Sequence, residues 1–272
     1  MTYDLIAIDI DGTLVPENKI IAEPVKIAIQ RLISLGKKVV LCTGRPVPGA
    51  KPYIKELGLN KTGDYMITYH GALVQRADTL ENILHHQLTF EDFFFFKSWL
   101  QKDDLKIQAV NNHGVFSYSK DLDYYQLMEA YYNNLPLYIR EMHEIDQNIA
   151  FSKFFIGGSE ETIRKMNHKL AINLATNYTI LASGPNSIEI LNKKASKGKA
   201  LAELANRLNI AQNRVMAIGD SGNDIDMVDY AGCGIAMGNA VSEVKAVANY
   251  VTDHVDSHGV ATAINQHFFN DE

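Results

Sequence analysis

Two aspartates separated by one residue follow an apolar run near the start of the chain. Asp9 and Asp11 lie in the segment Asp-Ile-Asp-Gly-Thr-Leu, directly after Leu5–Ile8. A strand interior does not accommodate so much negative charge, because an unpaired buried carboxylate is costly. A site that holds a divalent cation and attacks an electrophile does need carboxylates. The pair therefore indicates metal-assisted chemistry at the end of a strand.

Two further polar clusters also follow predicted strands. Thr43 follows the strand predicted over 38–42, and Asp220 follows the strand predicted over 214–219. Ligands in an open α/β sheet bind at the carboxyl ends of the strands, near the point where the strand order reverses. We therefore expect these residues to converge with Asp9 on one crevice, although they lie far apart in the sequence.

The elements that must position these residues alternate between strand and helix in both end segments. Apolar runs predict strands, and apolar residues at helical spacing predict helices between them. The predicted fold class is α/β, with a doubly wound, mainly parallel, Rossmann-like core sheet and right-handed crossovers. Its strands are predicted over 5–10, 38–42, 65–69, 214–219, 234–237 and 249–252.

The middle of the chain has a different composition. It is rich in aromatic residues, including the run at 93–96, and its strand-like pieces include a hairpin around 111–114. This pattern predicts an inserted α+β cap domain over 84–187 that sets substrate specificity. The core domain is then formed by 1–83 and 188–272, and the two adjacent linkers would form a hinge.

Composition and charge exclude several classes of function. The chain has 272 residues, a net charge of -6 and a sequence pI of about 5.8, so no basic surface for nucleic acid is expected. No apolar stretch reaches the roughly 18 residues needed to span a membrane. Cys42 and Cys233 are far apart and are interpreted as buried, reduced thiols. We predict a cytoplasmic protein without a signal peptide, and the sequence does not predict its oligomeric state.

Four short motifs, taken together, resemble those of haloacid dehalogenase superfamily phosphatases of the Cof-like type. Each motif is weak or moderate by itself, but their order and spacing are specific, and the resemblance covers the whole chain. It implies a large cap domain between the second and third motifs. The motifs are Asp9-Ile10-Asp11-Gly12-Thr13, Thr43-Gly44-Arg45, Lys197-Gly198 and Gly219-Asp220-Ser221-Gly222-Asn223-Asp224.

One loop departs from the pattern of the resembled family. Relatives often carry Asn-Gly-Ala where this chain has His70-Gly71-Ala72. The loop follows the third predicted strand and therefore lies near the predicted site. We expect His70 to alter contacts with the leaving group.

The resemblance implies a Mg²⁺-dependent phosphatase that works through an aspartyl-phosphate intermediate. In that mechanism Asp9 is the nucleophile, and Asp11 protonates the leaving group and later activates water. The ion would be held by the carboxylates of Asp9 and Asp220 and by the backbone carbonyl of Asp11. Positive charge at this point offsets the repulsion between a carboxylate and a phosphate dianion.

The resemblance also assigns the residues that bind the phosphoryl group. Thr43 would donate its hydroxyl, Gly44 its backbone N–H, and Lys197 its ammonium group. Asn223 would bind the phosphate as well, and Asp224 would support the site by orienting Lys197 or a metal-bound water. Lys197 alone is typical of a solvated lysine at a helix start, so only the resemblance assigns it a catalytic role.

Three activities remain open at this point. The first is hydrolysis of a small phosphorylated metabolite, with sugar phosphates expected and nucleotides or cofactor phosphates as alternatives. The second is a phosphomutase, which shares the aspartyl-phosphate step. The third is a non-catalytic phospho-aspartate switch, which would need neither Asp11 as an acid–base nor a domain-sized insert.

Overall fold

The computed structural model describes residues 3–269, which contain both strands and helices. The strands are β1 (Leu5–Ile8), β2 (Lys38–Cys42), β3 (Tyr65–Thr68), β4 (Leu73–Arg76), β5 (Asn82–His85), β6 (Gln108–Asn111), β7 (Gly114–Ser117), β8 (Leu137–Ile139), β9 (Lys153–Gly157), β10 (Tyr178–Ala182), β11 (Ser187–Asn192), β12 (Val215–Gly219), β13 (Cys233–Ala236) and β14 (Tyr250–Val251). The helices are α1 (Glu23–Ser34), α2 (Val47–Glu56), α3 (Phe90–Leu100), α4 (Tyr124–Tyr132), α5 (Glu160–Leu174), α6 (Lys197–Arg207), α7 (Ile225–Tyr230), α8 (Ser242–Val247) and α9 (Gly259–Phe268).

The chain forms two compact units. The first unit contains the described residues up to Gly44, the segment Ala50–Leu84 and the described residues from Ser196 onward. The second unit contains Arg45–Gly49 and His85–Ala195.

The first unit is built on an eight-stranded sheet in the order β14-β13-β12-β1-β2-β3-β4-β5. The six strands from β14 to β3 are parallel, and β4 pairs with β3 in the antiparallel direction. The strand order reverses beside β1, which lies between β2 and β12. All four residues of β1 are fully buried, as expected for a strand with both faces covered. The predicted doubly wound α/β fold is confirmed.

The antiparallel edge of this sheet was not predicted from the sequence. The chain reverses directly after β3, where Tyr69, His70 and Gly71 all have positive φ angles of 51°, 53° and 87°. A β-carbon on Gly71 would collide with the backbone carbonyl of Ser196, so the reversal requires glycine there. The reversal returns the chain as β4, antiparallel to β3.

The second unit is built on a six-stranded sheet in the order β10-β11-β9-β6-β7-β8. All of its pairs are antiparallel except β7 with β8. One face packs against α3 and α5 in an apolar core that includes Phe93, Phe96, Phe154, Ile156, Met166 and Leu170. Within the aromatic run at 93–96, Phe93 and Phe96 thus contribute to this core, whereas Phe94 and Phe95 are exposed.

The second predicted domain boundary differs by eight residues from the division found in the structure. We expected the core to resume at residue 188, but β11 pairs with β9 and β10 in the smaller sheet. The chain therefore returns to the first unit at Ser196, and the short segment Arg45–Gly49 also groups with the second unit. Apolar strands look alike in sequence whichever sheet they join, so this boundary depended on tertiary pairing. No helix within residues 3–269 has the length and apolar character to cross a membrane.

Candidate active site

The strand register brings the predicted site residues to one edge of the large sheet. Ile8, at the end of β1, lies opposite Leu41 in β2 and Ile218 in β12. Asp9 follows immediately, and its backbone N–H donates to the carbonyl of Ile218. Asp220 follows β12 in the same way. The parallel register therefore explains how residues about 200 positions apart become neighbours.

The turn after β1 is held tightly against the end of β12. Gly12 has a φ of 81°, and its N–H donates to the Val15 carbonyl at 2.9 Å. The Thr13 hydroxyl donates to Oδ1 of Asp220 at 2.8 Å. A β-carbon on Gly12 would lie 2.5 Å from Oδ2 of Asp220. Glycine is thus required twice here, for its backbone angle and for the close approach of the Asp220 carboxylate.

Three carboxylates converge at this edge. One carboxylate oxygen from each of Asp9, Asp220 and Asp224 lies within 4.8 Å of the other two; Asp9 and Asp224 are buried, and Asp220 is 9% exposed. Hard oxygen ligands in this arrangement suit a divalent cation. The donor set therefore fits the divalent metal that the resemblance implies, and the close pair of Asp9 and Asp220 is the one expected from the sequence.

Lys197 supplies the positive charge inside this cluster. Its Nζ donates to Oδ1 of Asp9 and to Oδ1 of Asp224, each at 2.6 Å. Its side chain is completely buried at the start of α6, where Ser196 caps the helix. Burial lowers the pKa of Lys197, but the carboxylates of Asp224 and Asp9 outweigh this and raise it above the ordinary value. The lysine therefore remains charged and bridges two buried carboxylates.

Asp224 joins several groups of the site through hydrogen bonds. Its Oδ2 accepts from the backbone N–H groups of Asp220 and Ser221, both at 3.0 Å, while Oδ1 accepts from Lys197. Both oxygens are therefore used within the protein. This geometry suits a residue that orients Lys197 and fixes the loop after β12, in line with its predicted supporting role.

The cluster carries more negative than positive charge. Burial raises the pKa of Asp9 well above its usual range, and Asp224 adds to this while Lys197 opposes it. Burial and the Asp224 carboxylate raise the pKa of Asp220 to about 6. Both shifts reflect carboxylates that are crowded in a low-dielectric site. A bound cation would favour the ionised forms of both groups.

The side chain of Asp11 is not one of the three converging carboxylates and has a partner of its own. Its Oδ1 accepts a hydrogen bond from Lys19 Nζ at 2.6 Å, and both side chains are partly exposed. Lys19 was missed in the sequence analysis. It lies eight residues after Asp11, outside any recognised motif, and has a positive φ of 61°.

The loops after β2, β3 and β12 bring the predicted phosphate ligands into contact with His70. The N–H of His70 donates to the carbonyl of Thr43 at 3.0 Å. Its ring occupies the space where a β-carbon on Gly44 would project, and its Nδ1 lies 3.0 Å from Nδ2 of Asn223. Thr43, Gly44 and Asn223 are thus gathered around one histidine.

Comparison with known proteins accords with this arrangement. Residues 6–264 match the family model described as haloacid dehalogenase-like hydrolase. The chain belongs to the haloacid dehalogenase-like hydrolase family. The resemblance found in the sequence is therefore confirmed, together with the predicted enzyme class, a phosphatase of this family.

Individual haloacid dehalogenase-like relatives align over nearly their whole lengths. The chain is 36% identical to "Putative phosphatase YxeH" of Bacillus subtilis, over 97% of this chain and 98% of the relative. It is 31% identical to the 5-amino-6-(5-phospho-D-ribitylamino)uracil phosphatase YcsE of the same organism, over 96% of this chain and 94% of the relative. A haloacid dehalogenase-like hydrolase from Bacteroides thetaiotaomicron superimposes with a TM-score of 0.88 and 29% identity, over 98% of this chain and 100% of that one.

Proposed function

We propose that the protein is a Mg²⁺-dependent phosphatase that hydrolyses small phosphorylated metabolites through an aspartyl-phosphate on Asp9. The observation that carries this proposal is the buried convergence of Asp9, Asp220 and Asp224 with Lys197 donating to Asp9. A nucleophilic carboxylate, a cation site and a fixed ammonium group are the parts needed to bring a carboxylate against a phosphate dianion.

Mg²⁺ is the proposed ion because the donor set is small and consists of oxygen. Mg²⁺ keeps several waters and needs only one or two protein carboxylates together with substrate oxygens. Asp9 and Asp220 would supply those carboxylates, and the backbone carbonyl of Asp11 a third oxygen. When bound, the ion offsets the negative charge of the phosphoryl group.

In the proposed reaction an oxygen of the Asp9 carboxylate forms a bond to phosphorus as the ester bond breaks. Asp11 donates its proton to the leaving oxygen. Asp11 then takes a proton from water, whose oxygen attacks phosphorus and releases inorganic phosphate with the Asp9 carboxylate restored. The Asp11 side chain is partly exposed, so its carboxyl group can exchange protons with solvent and with the leaving group.

Charge and hydrogen bonding orient the phosphoryl group in this proposal. Lys197 would pair with its oxygens, Thr43 would donate a hydroxyl, and Gly44 would donate its N–H. Asn223 would donate from its amide, while Asp224 holds Lys197 in place. Positioning and charge neutralisation of this kind supply most of the catalysis in phosphoryl transfer.

The proposed substrates are phosphate esters of sugars or related polyols. The relative YcsE, at 31% identity, is named for a substrate that carries a phosphorylated ribityl chain. We further propose that the second unit is the cap domain that selects the leaving group. Its insertion within the first unit supports this assignment, because the core alone contains the cluster that would perform the chemistry.

A screen of phosphorylated metabolites with released phosphate as the readout tests the proposal. We expect phosphate release that requires Mg²⁺, is abolished by a chelator and is lost in Asp9→Asn. Asp121→Asn, which changes an exposed aspartate of the second unit, serves as the control and should remain active. Full activity in Asp9→Asn would contradict the covalent route, and interconversion of two phosphoesters without phosphate release would favour a mutase.

A further inference from the structure

His70 has a backbone conformation that residues other than glycine rarely adopt. It follows β3 with a φ of 53°, next to Tyr69 at 51°, so two consecutive non-glycine residues are left-handed. Such conformations are unfavourable for L-residues and persist where the surrounding structure holds them. The loop directs the His70 ring into the first unit, where the residue is only 5% exposed.

The His70 ring contacts two separate phosphate-binding loops. On one side it fills the space beside Gly44, so that no β-carbon could be added there without displacing the ring. On the other side its Nδ1 lies 3.0 Å from Nδ2 of Asn223. Because Nδ2 can only donate, Nδ1 accepts in this pair.

The Asn223 amide depends on this contact for its orientation. Its Oδ1 is buried and has no hydrogen-bond partner within the described part of the chain. The bond to His70 is therefore the contact that fixes the amide plane. Since His70 also packs on Gly44, one side chain links the orientation of the amide to the position of the loop after β2.

We propose that His70 is a positioning residue, which holds the Gly44 N–H and the Asn223 amide in the relative arrangement that a phosphoryl group needs. This inference rests on the proposed function, which assigns phosphate binding to both groups. We assign its effect to these two groups, because its ring packs beside Gly44 and lies within hydrogen-bond distance of the Asn223 amide.

Three substitutions separate the contact of the His70 ring with Asn223 from its contact with Gly44. Asparagine tolerates a left-handed backbone. Its acceptor oxygen Oδ1 is separated from the backbone by the same number of bonds as Nδ1 of histidine. His70→Asn therefore keeps the hydrogen bond to Asn223 but removes the ring atoms beside Gly44. His70→Phe keeps a ring but removes the acceptor, and His70→Ala removes both.

Binding of inorganic phosphate in the presence of Mg²⁺, measured by calorimetry, tests the proposal without requiring turnover. We expect His70→Ala to raise the dissociation constant about tenfold, with smaller increases in His70→Asn and His70→Phe. With a substrate that the wild type hydrolyses, KM should rise more than kcat falls. In the Asn223→Ala background, His70→Ala should add little beyond its effect on Gly44, because coupled residues are not additive.

His258→Asn is the matched control. His258 also has a left-handed backbone, with a φ of 62°, but it lies at the start of α9. Its replacement should leave phosphate binding unchanged. Unchanged phosphate binding in His70→Ala would overturn the positioning role. So would a double variant whose loss of phosphate affinity equals the product of the losses in His70→Ala and Asn223→Ala. A wild type that binds phosphate but hydrolyses no ester would instead overturn the proposed function, and weaker binding in the variants would still support His70.

Discussion

Nζ of Lys197 lies 2.6 Å from Oδ1 of Asp9, although the two residues are 188 positions apart. The same ammonium group also donates to Asp224 at 2.6 Å, and the side chains of all three residues are buried. A single lysine thus joins the end of β1 to the loop after β12, and it carries the positive charge that the cluster contains.

Removing this ammonium group should damage both stability and activity. Lys197→Met leaves the Asp9 and Asp224 carboxylates buried without their shared partner, which costs on the order of 3–5 kcal/mol for a broken buried pair. We expect a fall in kcat of roughly 10²–10³-fold, as for loss of one electrostatic contact to a transition state. Thermal unfolding and phosphate release measure the two effects. Lys199→Met, two residues further along α6, is the control, and wild-type behaviour in Lys197→Met would refute this role.

Gly12 should be irreplaceable because of Asp220 and not merely because of its backbone angle. In Gly12→Ala the new β-carbon would lie 2.5 Å from Oδ2 of Asp220, so that the carboxylate must move. Gly36→Ala is the matched control, with a φ of 72° and no atom within 4 Å of the new β-carbon. Both variants should lose about 1 kcal/mol from backbone strain, but only Gly12→Ala should weaken Mg²⁺ binding in calorimetry. Equal metal affinities would contradict this explanation.

Metal affinity should depend on pH through Asp220. Because burial raises the pKa of this carboxyl to about 6, protons compete with the cation below that pH. The apparent dissociation constant for Mg²⁺ should increase about tenfold for each pH unit below 6 if one proton must leave. In the absence of metal, the folding stability changes with pH in the opposite direction from the metal affinity. The protonated carboxyl is preferred in the folded state, so the Asp220 contribution to stability declines as pH rises from 3.8 toward 6.

Calorimetric titration with Mg²⁺ at a series of pH values, and chemical unfolding of the metal-free protein, measure these two trends. Asp220→Asn should remove the part of the pH dependence of the unfolding free energy that Asp220 contributes between pH 3.8 and 6. If the metal affinity did not change between about pH 5 and pH 7, protons would not compete with Mg²⁺ at this site.

Asp11→Asn should separate acid–base chemistry from metal binding. The side chain of Asp11 contacts Lys19 outside the carboxylate cluster, and its proposed metal contact is through the backbone. We therefore expect turnover to fall about 10²–10⁴-fold while calorimetric Mg²⁺ affinity stays close to that of the wild type. Glu17→Gln, in the same segment, provides the control. A large loss of metal binding in Asp11→Asn would show that its carboxylate coordinates the ion.

The second unit contains a buried ion cluster of its own. Lys153 in β9 lies 3.0 Å from Oε1 of Glu129 and 2.8 Å from Oε2 of Glu189, and all three side chains are at most 8% exposed. Lys153→Met should destabilise this unit by about 3–5 kcal/mol, because two buried carboxylates lose their ammonium partner.

Lys165→Met, which breaks an exposed pair with Glu161 on α5, should cost no more than about 0.5 kcal/mol. Denaturant unfolding that is followed by the fluorescence of Trp99, in the second unit, compares the two variants. Equal losses of stability would show that burial does not distinguish the Lys153 cluster from the exposed pair.

Much of the fold could be predicted from the sequence because the informative patterns are local. The apolar runs at β1, β2 and β12 and the helical spacing between them specify buried parallel strands without reference to distant residues. The family motifs then identify Asp9 and Asp220 as residues that must meet. These features depend on residue type and spacing alone.

Tertiary structure decided which sheet each strand joins and which contacts complete the site. The Ser187–Asn192 strand belongs to the smaller sheet because of its pairing with β9 and β10, which no local pattern records. The contact between Thr13 and Asp220, and that between His70 and Asn223, join residues more than 150 positions apart. Sequence patterns specify local backbone preference and burial, whereas long-range pairs depend on loop paths that are fixed only when the whole chain has packed.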